Sequence, residues 1–156
     1  MSSKILKGRC SCGNVTYSLS SKPMFVHCCH CFDCQRLSGA AYLLNGLIET
    51  DRVLVEGALK SIRLATPSGN GKIVNRCAEC GDAVYSHYLI RGAGVAFVRI
   101  GTLDEPSLCP PQVQIFTASK QSWVPLSRDI PAFEKFYDFN DLWPAESLQR
   151  LQAVLG

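Results

Sequence analysis

The placement of cysteine constrains this chain more than any other feature. All of its nine cysteines except Cys109 lie in three short clusters: Cys10-Ser11-Cys12-Gly13, Cys28-Cys29-His30-Cys31-Phe32-Asp33-Cys34 and Cys77-Ala78-Glu79-Cys80-Gly81. An odd count argues against a fully paired disulfide framework. The stretch from Met1 to Arg9 lacks the apolar run of a secretion signal, so a cytoplasmic protein is expected. A reducing compartment leaves thiolates free for metal or for catalysis. Zinc takes four ligands at tetrahedral corners, with thiolate sulfur about 2.3 Å away. Cys-x-x-Cys suits it because the chain turns between the two residues and aims both sulfurs inward. Gly81, directly after such a pair, can take a positive φ and let the turn close. Cys-x-Cys suits it by another route, since residues i and i+2 of an extended chain share a face.

The first and third clusters together supply Cys10, Cys12, Cys77 and Cys80, and a four-thiolate zinc is closed and structural. Arg9 and Arg76 each directly precede a cluster and are candidates to balance its negative charge, or are simply solvated. The second cluster offers Cys29, Cys31 and Cys34. Three ligands leave one corner to water or substrate, the mark of a catalytic zinc. Soft thiolate ligands favour capture and activation of an incoming thiol over hard hydrolysis. In an extended segment Cys28 and His30 fall on the opposite face. Cys28 then reads as a small buried apolar residue, and His30 points to solvent or to substrate. His27 shares the parity of Cys29 and Cys31 and competes for the fourth corner, which would close the site. Thiol–disulfide chemistry at Cys31-x-x-Cys34 is a further option, but the paired Cys-x-Cys motifs favour metal.

The chain's 156 residues suit one domain, and 47% hydrophobic with 19% charged residues are the proportions of a soluble globule. A net charge of +3 comes without a basic run, so no nucleic-acid partner is expected. Apolar stretches such as Gly92 to Val98 are too short to span a bilayer, so no membrane partner is expected either. Short alternating or β-branched segments between turn residues predict a mainly β fold. They are Val15–Leu19, Val53–Glu56 and Ser61–Leu64 flanking a turn at Gly57, then Lys72–Asn75, Ala83–His87, Val95–Ile100 and Val113–Phe116. Asp33 to Ser38 could make one helical turn. Near the C-terminus, Pro144 at N1 and Leu148, Leu151 and Leu155 at helical spacing predict a helix docked on the sheet, with a dimer contact as the lesser alternative.

The sequence resembles the glutathione-dependent formaldehyde-activating enzyme family, which includes centromere-protein-V-like proteins. The resemblance is carried by Gly8-Arg9-Cys10-Ser11-Cys12-Gly13-Asn14-Val15, by Cys29-His30-Cys31-Phe32-Asp33-Cys34-Gln35-Arg36-Leu37-Ser38-Gly39 and by Arg76-Cys77-Ala78-Glu79-Cys80-Gly81. Ser119-Lys120-Gln121-Ser122-Trp123 and Ile130-Pro131-Ala132-Phe133-Glu134 add weaker matches. It implies Mss4-like folded β-sheets around a structural zinc at Cys10, Cys12, Cys77 and Cys80, and a second, catalytic zinc at Cys29, Cys31 and Cys34. Residues 1–137 are then the zinc-binding domain, and 138–156 an extension whose helix packs on it. The implied activity is that of a carbon–sulfur lyase joining glutathione to formaldehyde, as in S-(hydroxymethyl)glutathione synthase. A small-molecule thiol is thus the expected partner, with Arg36 and Lys120 as candidates to hold its carboxylates. The alternative is a non-catalytic zinc module that binds a thiol or a protein. Gln114 and Cys28 stand where the family often has His, which points to a different substrate.

Overall fold

Apolar residues at every second position, broken by glycine and proline, give this chain short strands, and a computed structural model describes them over residues 4–156. In chain order the elements are β1 (Leu6–Arg9), β2 (Thr16–Leu19), β3 (Phe25–Cys29), α1 (Phe32–Ser38), β4 (Leu43–Glu49), β5 (Val53–Glu56), β6 (Leu59–Leu64), β7 (Lys72–Cys77), β8 (Ala83–Tyr88), β9 (Val95–Arg99), β10 (Val113–Ile115), α2 (Phe139–Leu142) and α3 (Ala145–Leu155). The fold is mainly β, as the sequence predicts. No helix among the described residues is long and apolar enough to cross a membrane.

The strands form two sheets. The smaller runs β1-β2-β5, and the larger runs β10-β3-β4-β9-β8-β7-β6. Every pairing is antiparallel except that of β10 with β3. β5 and β6, which flank Gly57, therefore belong to different sheets. Gly57 sits at φ +104, and a Cβ there would collide with the Asn14 carbonyl oxygen, so the switch between sheets requires glycine.

β3 is buried along its whole length, because each of its faces meets a core. Val26 joins the core around Leu19, Ile48, Val98 and Ile100. Phe25 and Cys29 join a second, aromatic core with Phe139, Trp143 and Leu151. A strand buried on both sides shows no alternation, and for that reason β3 is not visible in the hydrophobic pattern. β1, only four residues long and interrupted by Gly8, and β4 are missed as well.

α1 is longer than the single turn expected. Cys31 is its N-cap, with the Cys34 N–H donating to Cys31 Sγ at 3.3 Å, and Gly39 ends it in the left-handed region. At the other end of the chain, Pro144 is the N-cap of α3 rather than its first helical residue. Leu148 and Leu151 face the aromatic core as expected, but Leu155 is exposed, and Val154 packs there instead.

α3 is also tied down by charge. Arg150 Nε and Nη2 donate to Glu49 Oε1 and Oε2 at 2.8 and 2.6 Å, and Glu49 is buried at the end of β4. Burial alone would raise the Glu49 pKa, but the Arg150 hydrogen bonds, a backbone hydrogen bond and the charges of Arg150 and Arg52 together outweigh it and hold the carboxyl below its ordinary value. A depressed carboxyl stabilises the fold above its unfolded pKa, and that stability is lost as pH falls through the folded value. Arg150→Ala is expected to cost about 2 kcal/mol in denaturant unfolding at neutral pH, since it strips a buried carboxylate of its two-pronged charged donor and leaves it only Arg52, 3.3 Å away. Glu49→Gln should remove part of the acid dependence of unfolding, and an unchanged pH profile would contradict the assignment.

Candidate metal centres

Two groups of cysteines converge. The Sγ atoms of Cys10, Cys12, Cys77 and Cys80 lie within 4.8 Å of one another, and so do those of Cys29, Cys31 and Cys34. None of the nine cysteines is joined in a disulfide. Cys109 is buried in the core and joins neither group.

The four-sulfur group joins the two sheets. Cys10 and Cys12 follow β1 of the small sheet, whereas Cys77 ends β7 of the large one. The turn after Cys77 closes on Gly81 at φ +82, whose N–H donates to the Cys77 carbonyl. Between the loops, Asp82 Oδ2 accepts from the Ser11 N–H at 2.7 Å and from the Ser11 hydroxyl. Arg76 Nη1 donates to the Gly81 carbonyl at 2.8 Å and so braces the turn. Arg9 is turned away, towards Asp104. Sγ of Cys12 lies 3.5 Å from that of Cys10 and 3.7 Å from that of Cys77. An ion with bonds of about 2.3 Å places its ligands roughly 3.8 Å apart along a tetrahedral edge, so the separations fit zinc. Burial alone would raise the Cys10 pKa, but the Val15 N–H and the other three sulfurs pull it down to about 6. Cys12 goes the other way: the Asn14 N–H lowers it, but burial and the neighbouring thiols push it up to about 12.

The three-sulfur group forms where β3 runs into α1. Cys29 is the last residue of β3, Cys31 caps α1 and Cys34 lies in its first turn, so a short loop and half a helical turn bring the sulfurs together. Cys29 and Cys34 are buried and Cys31 is half-buried. The adjacent thiols of Cys29 and Cys34, with the Cys34 N–H and the Lys72 charge, outweigh burial and pull Cys31 down to about 2. The thiols of Cys31 and Cys34, together with burial, push Cys29 up. Cys34 is raised as well, which leaves Cys31 the most acidic of the three thiols. Buried Lys72 supplies a cation here, its Nζ 3.6 Å from Asp33 Oδ2 and over the Tyr88 ring.

His27 does not join this group. Its Nε2 is 2.6 Å from the Tyr137 hydroxyl, which in turn accepts from Trp143 Nε1 at 2.8 Å. His27 is thus tied into a Trp143–Tyr137 hydrogen-bond chain and not into the sulfur group. Burial, helped by the charge of Arg91, pushes the His27 pKa down to about 3, so the ring stays neutral. His30 points neither to solvent nor to the sulfurs. It is fully buried, with Nε2 3.6 Å from Cys28 Sγ, and its carbonyl accepts from Gln35 Nε2 and Ser119 Oγ. Gln114 uses both ends of its amide on the Ser127 backbone, pinning a loop.

Phe116 takes the left-handed conformation at φ 55, which costs a bulky residue about 1–2 kcal/mol. The bend sends the chain from β10 to Ser119, whose hydroxyl and carbonyl meet His30 and Gln35 beside α1. Lys120 follows, with Nζ donating to the carbonyls of Gln121 and Val124, and Arg36 is exposed on α1. Phe32 and Trp123 are exposed aromatics of the same two segments. Lys72, Asn45 and Arg99 give no signal as site residues in the sequence, save that Arg99 is a charge at the end of an apolar strand.

In reduced, metal-free protein at neutral pH, iodoacetamide is expected to modify Cys31 at least about tenfold faster than Cys29 or Cys34, because the thiolate is the nucleophile and Cys31 is the accessible one. Peptide mass spectrometry reads the three rates, and equal rates would contradict the assignment of charge.

A solved Rhodobacter sphaeroides protein has 16% identity to this chain and a TM-score of 0.48, the match covering 81% of this chain and 99% of that one. The family model for the glutathione-dependent formaldehyde-activating enzyme matches residues 5–119, a span that holds both cysteine groups. Because that match covers well over half of the 156 residues, the chain belongs to the glutathione-dependent formaldehyde-activating enzyme family.

Proposed function

We propose that the protein is a zinc-dependent carbon–sulfur lyase or synthase acting on a thiol adduct, with glutathione and an aldehyde as the reference pair. Two zinc ions per chain are part of this reading. Cys10, Cys12, Cys77 and Cys80 hold the structural one, and Cys29, Cys31 and Cys34 hold the catalytic one. The observation that carries the proposal is the convergence of three sulfurs that no other Cys, His, Asp or Glu of the described residues joins. A tetrahedral ion so held has one position for an incoming thiol, and when bound it lowers that thiol's pKa and presents it as thiolate.

In the reaction the thiol sulfur bonds to the carbonyl carbon and the carbon–oxygen π bond opens. The proton lost by the thiol ends on the oxygen, and nothing is oxidised or reduced. The reverse, lysis, breaks the same carbon–sulfur bond. The chain's own residues bind and orient. Cys31, half-buried at the start of α1, is the ligand on the accessible side. Exposed Arg36 can pair with a substrate carboxylate through two parallel hydrogen bonds. Lys120 spends two of its three N–H donors on carbonyls, which leaves one for a second carboxylate. A tripeptide thiol such as glutathione has two carboxylates.

The rival reading, a closed site in a non-catalytic module, needs a fourth protein ligand. His27 is the candidate, and it stands outside the three-sulfur group, with Nε2 hydrogen-bonded to the Tyr137 hydroxyl. Residues 138–156 are read as an extension of the same domain, and the compartment as the cytoplasm.

Cys31→Ser is the direct test. It is expected to lower zinc content from two per chain towards one and to reduce the rate of adduct formation from glutathione and formaldehyde at least about 100-fold, as loss of a metal ligand should. Wild-type turnover by this variant would refute a catalytic metal at the three-sulfur group.

A further inference from the structure

A second cation is buried behind the three-sulfur group. Arg99, the last residue of β9, is only 4% exposed. Its Nη1 donates to Asn45 Oδ1 at 2.5 Å and to the Phe97 carbonyl at 3.2 Å, and its Nη2 donates to Ser86 Oγ at 2.5 Å. Nε has no partner. All three acceptors are neutral, and Arg99 takes part in no carboxylate ion pair among the described residues. Lys72, the other cation buried here, has Asp33. A guanidinium cannot shed its proton, and a buried charge without an opposite one is strongly unfavourable. The fold must therefore supply an anion near Arg99.

Asn45 points to it. Asn45 sits directly across from Arg99 in the β4–β9 ladder. With Oδ1 fixed by the guanidinium, its Nδ2 donates to Cys34 Sγ at 3.9 Å. The amide is thus oriented with its acceptor on the cation and its donor on the sulfur, as it would be between a positive and a negative charge. Three thiolates around a divalent ion carry one net negative charge, and Arg99 carries one positive.

We propose that Arg99 is the buried counter-ion of the Cys29, Cys31 and Cys34 group and, through Asn45, a positioning residue that sets how tightly this group holds a divalent metal. The inference rests on that group binding metal, as proposed above. It extends the site from its three ligands to a cation on the neighbouring strand. It also accounts for a buried arginine that packing alone would replace with an apolar residue.

The test is a cobalt(II) titration of protein whose four-sulfur group is kept filled with zinc, read by the sulfur-to-cobalt charge-transfer band. Arg99→Met and Asn45→Asp are expected to weaken cobalt binding at the three-sulfur group about 10- to 100-fold, the usual cost of losing an outer partner of a metal ligand. Asn45→Asp keeps Arg99 and hands it a carboxylate, so it carries the test alone if Arg99→Met fails to fold. Thermal unfolding with and without metal gives a readout that a purely structural role would not move. The rise in Tm on metal addition should shrink in both variants, while the metal-free variants unfold at or above the wild-type temperature. Wild-type cobalt affinity in Asn45→Asp, with an unchanged Tm shift, overturns the assignment of Arg99 and leaves the metal site standing. A wild-type protein that binds no cobalt at the three-sulfur group overturns both.

Discussion

The two sheets of this protein meet at four sulfurs. Cys10 and Cys12 come from the end of β1 in the small sheet, and Cys77 and Cys80 from the end of β7 in the large one. Thiolates at separations of 3.5 and 3.7 Å repel one another unless a cation lies between them. Much else is arranged around that meeting. Asp82 ties the first cysteine loop to the third, Arg76 braces the third, and glycines at positions 13 and 81 let both turns close. The core between the sheets packs Cys10 and Cys77 beside Leu6, Val15 and Val84, so the sulfur cluster is continuous with the hydrophobic interior.

The three-sulfur group is built on different terms. Its sulfurs come from one continuous stretch, residues 29 to 34, where a strand turns directly into a helix. What fixes that stretch is the packing on both faces of β3. On one side lies the main core. On the other, Phe25 stacks on Trp143 at 5.2 Å and Trp143 on Phe139 at 4.3 Å, so the C-terminal helices hold the strand in place. Offset or stacked aromatic pairs of this kind add to area burial. His27 is absorbed into the same aromatic layer through Tyr137.

How much of this was legible in the sequence depends on whether the signal was local. Cys-x-Cys and Cys-x-x-Cys are read at spacings of two and three, and the groups they form are the ones the fold assembles. Strands whose burial alternates, such as β2 and β5, were visible for the same reason, and β9 was visible as a short β-branched run between turn residues. β3 and β4 were not, because burial on both faces erases alternation. The fate of His27 was not legible either, since its partner Tyr137 lies 110 residues away. Parity set Cys28 and His30 apart from the ligand sulfurs, but it could not show that His30, just past β3, turns inward to meet Cys28 and not outward to solvent. The roles of Gln114 and Arg99 depend on acceptors from distant segments, and composition carries no trace of them.

The two groups therefore differ in donor count, in exposure and in what surrounds them. One is a four-sulfur bridge between sheets, and the other is three sulfurs beside two buried cations, with Cys31 towards solvent. On the reading proposed above both groups hold zinc, with unequal grip and unequal completeness. Native mass spectrometry of the freshly isolated protein, before and after brief exposure to a chelator, tests it most directly. The expected result is two zinc ions per chain at first and one afterwards, with Cys29, Cys31 and Cys34 then open to alkylation and Cys10, Cys12, Cys77 and Cys80 still protected. Loss of both ions together, or protection of the three-sulfur group after the four-sulfur group has been emptied, would contradict it.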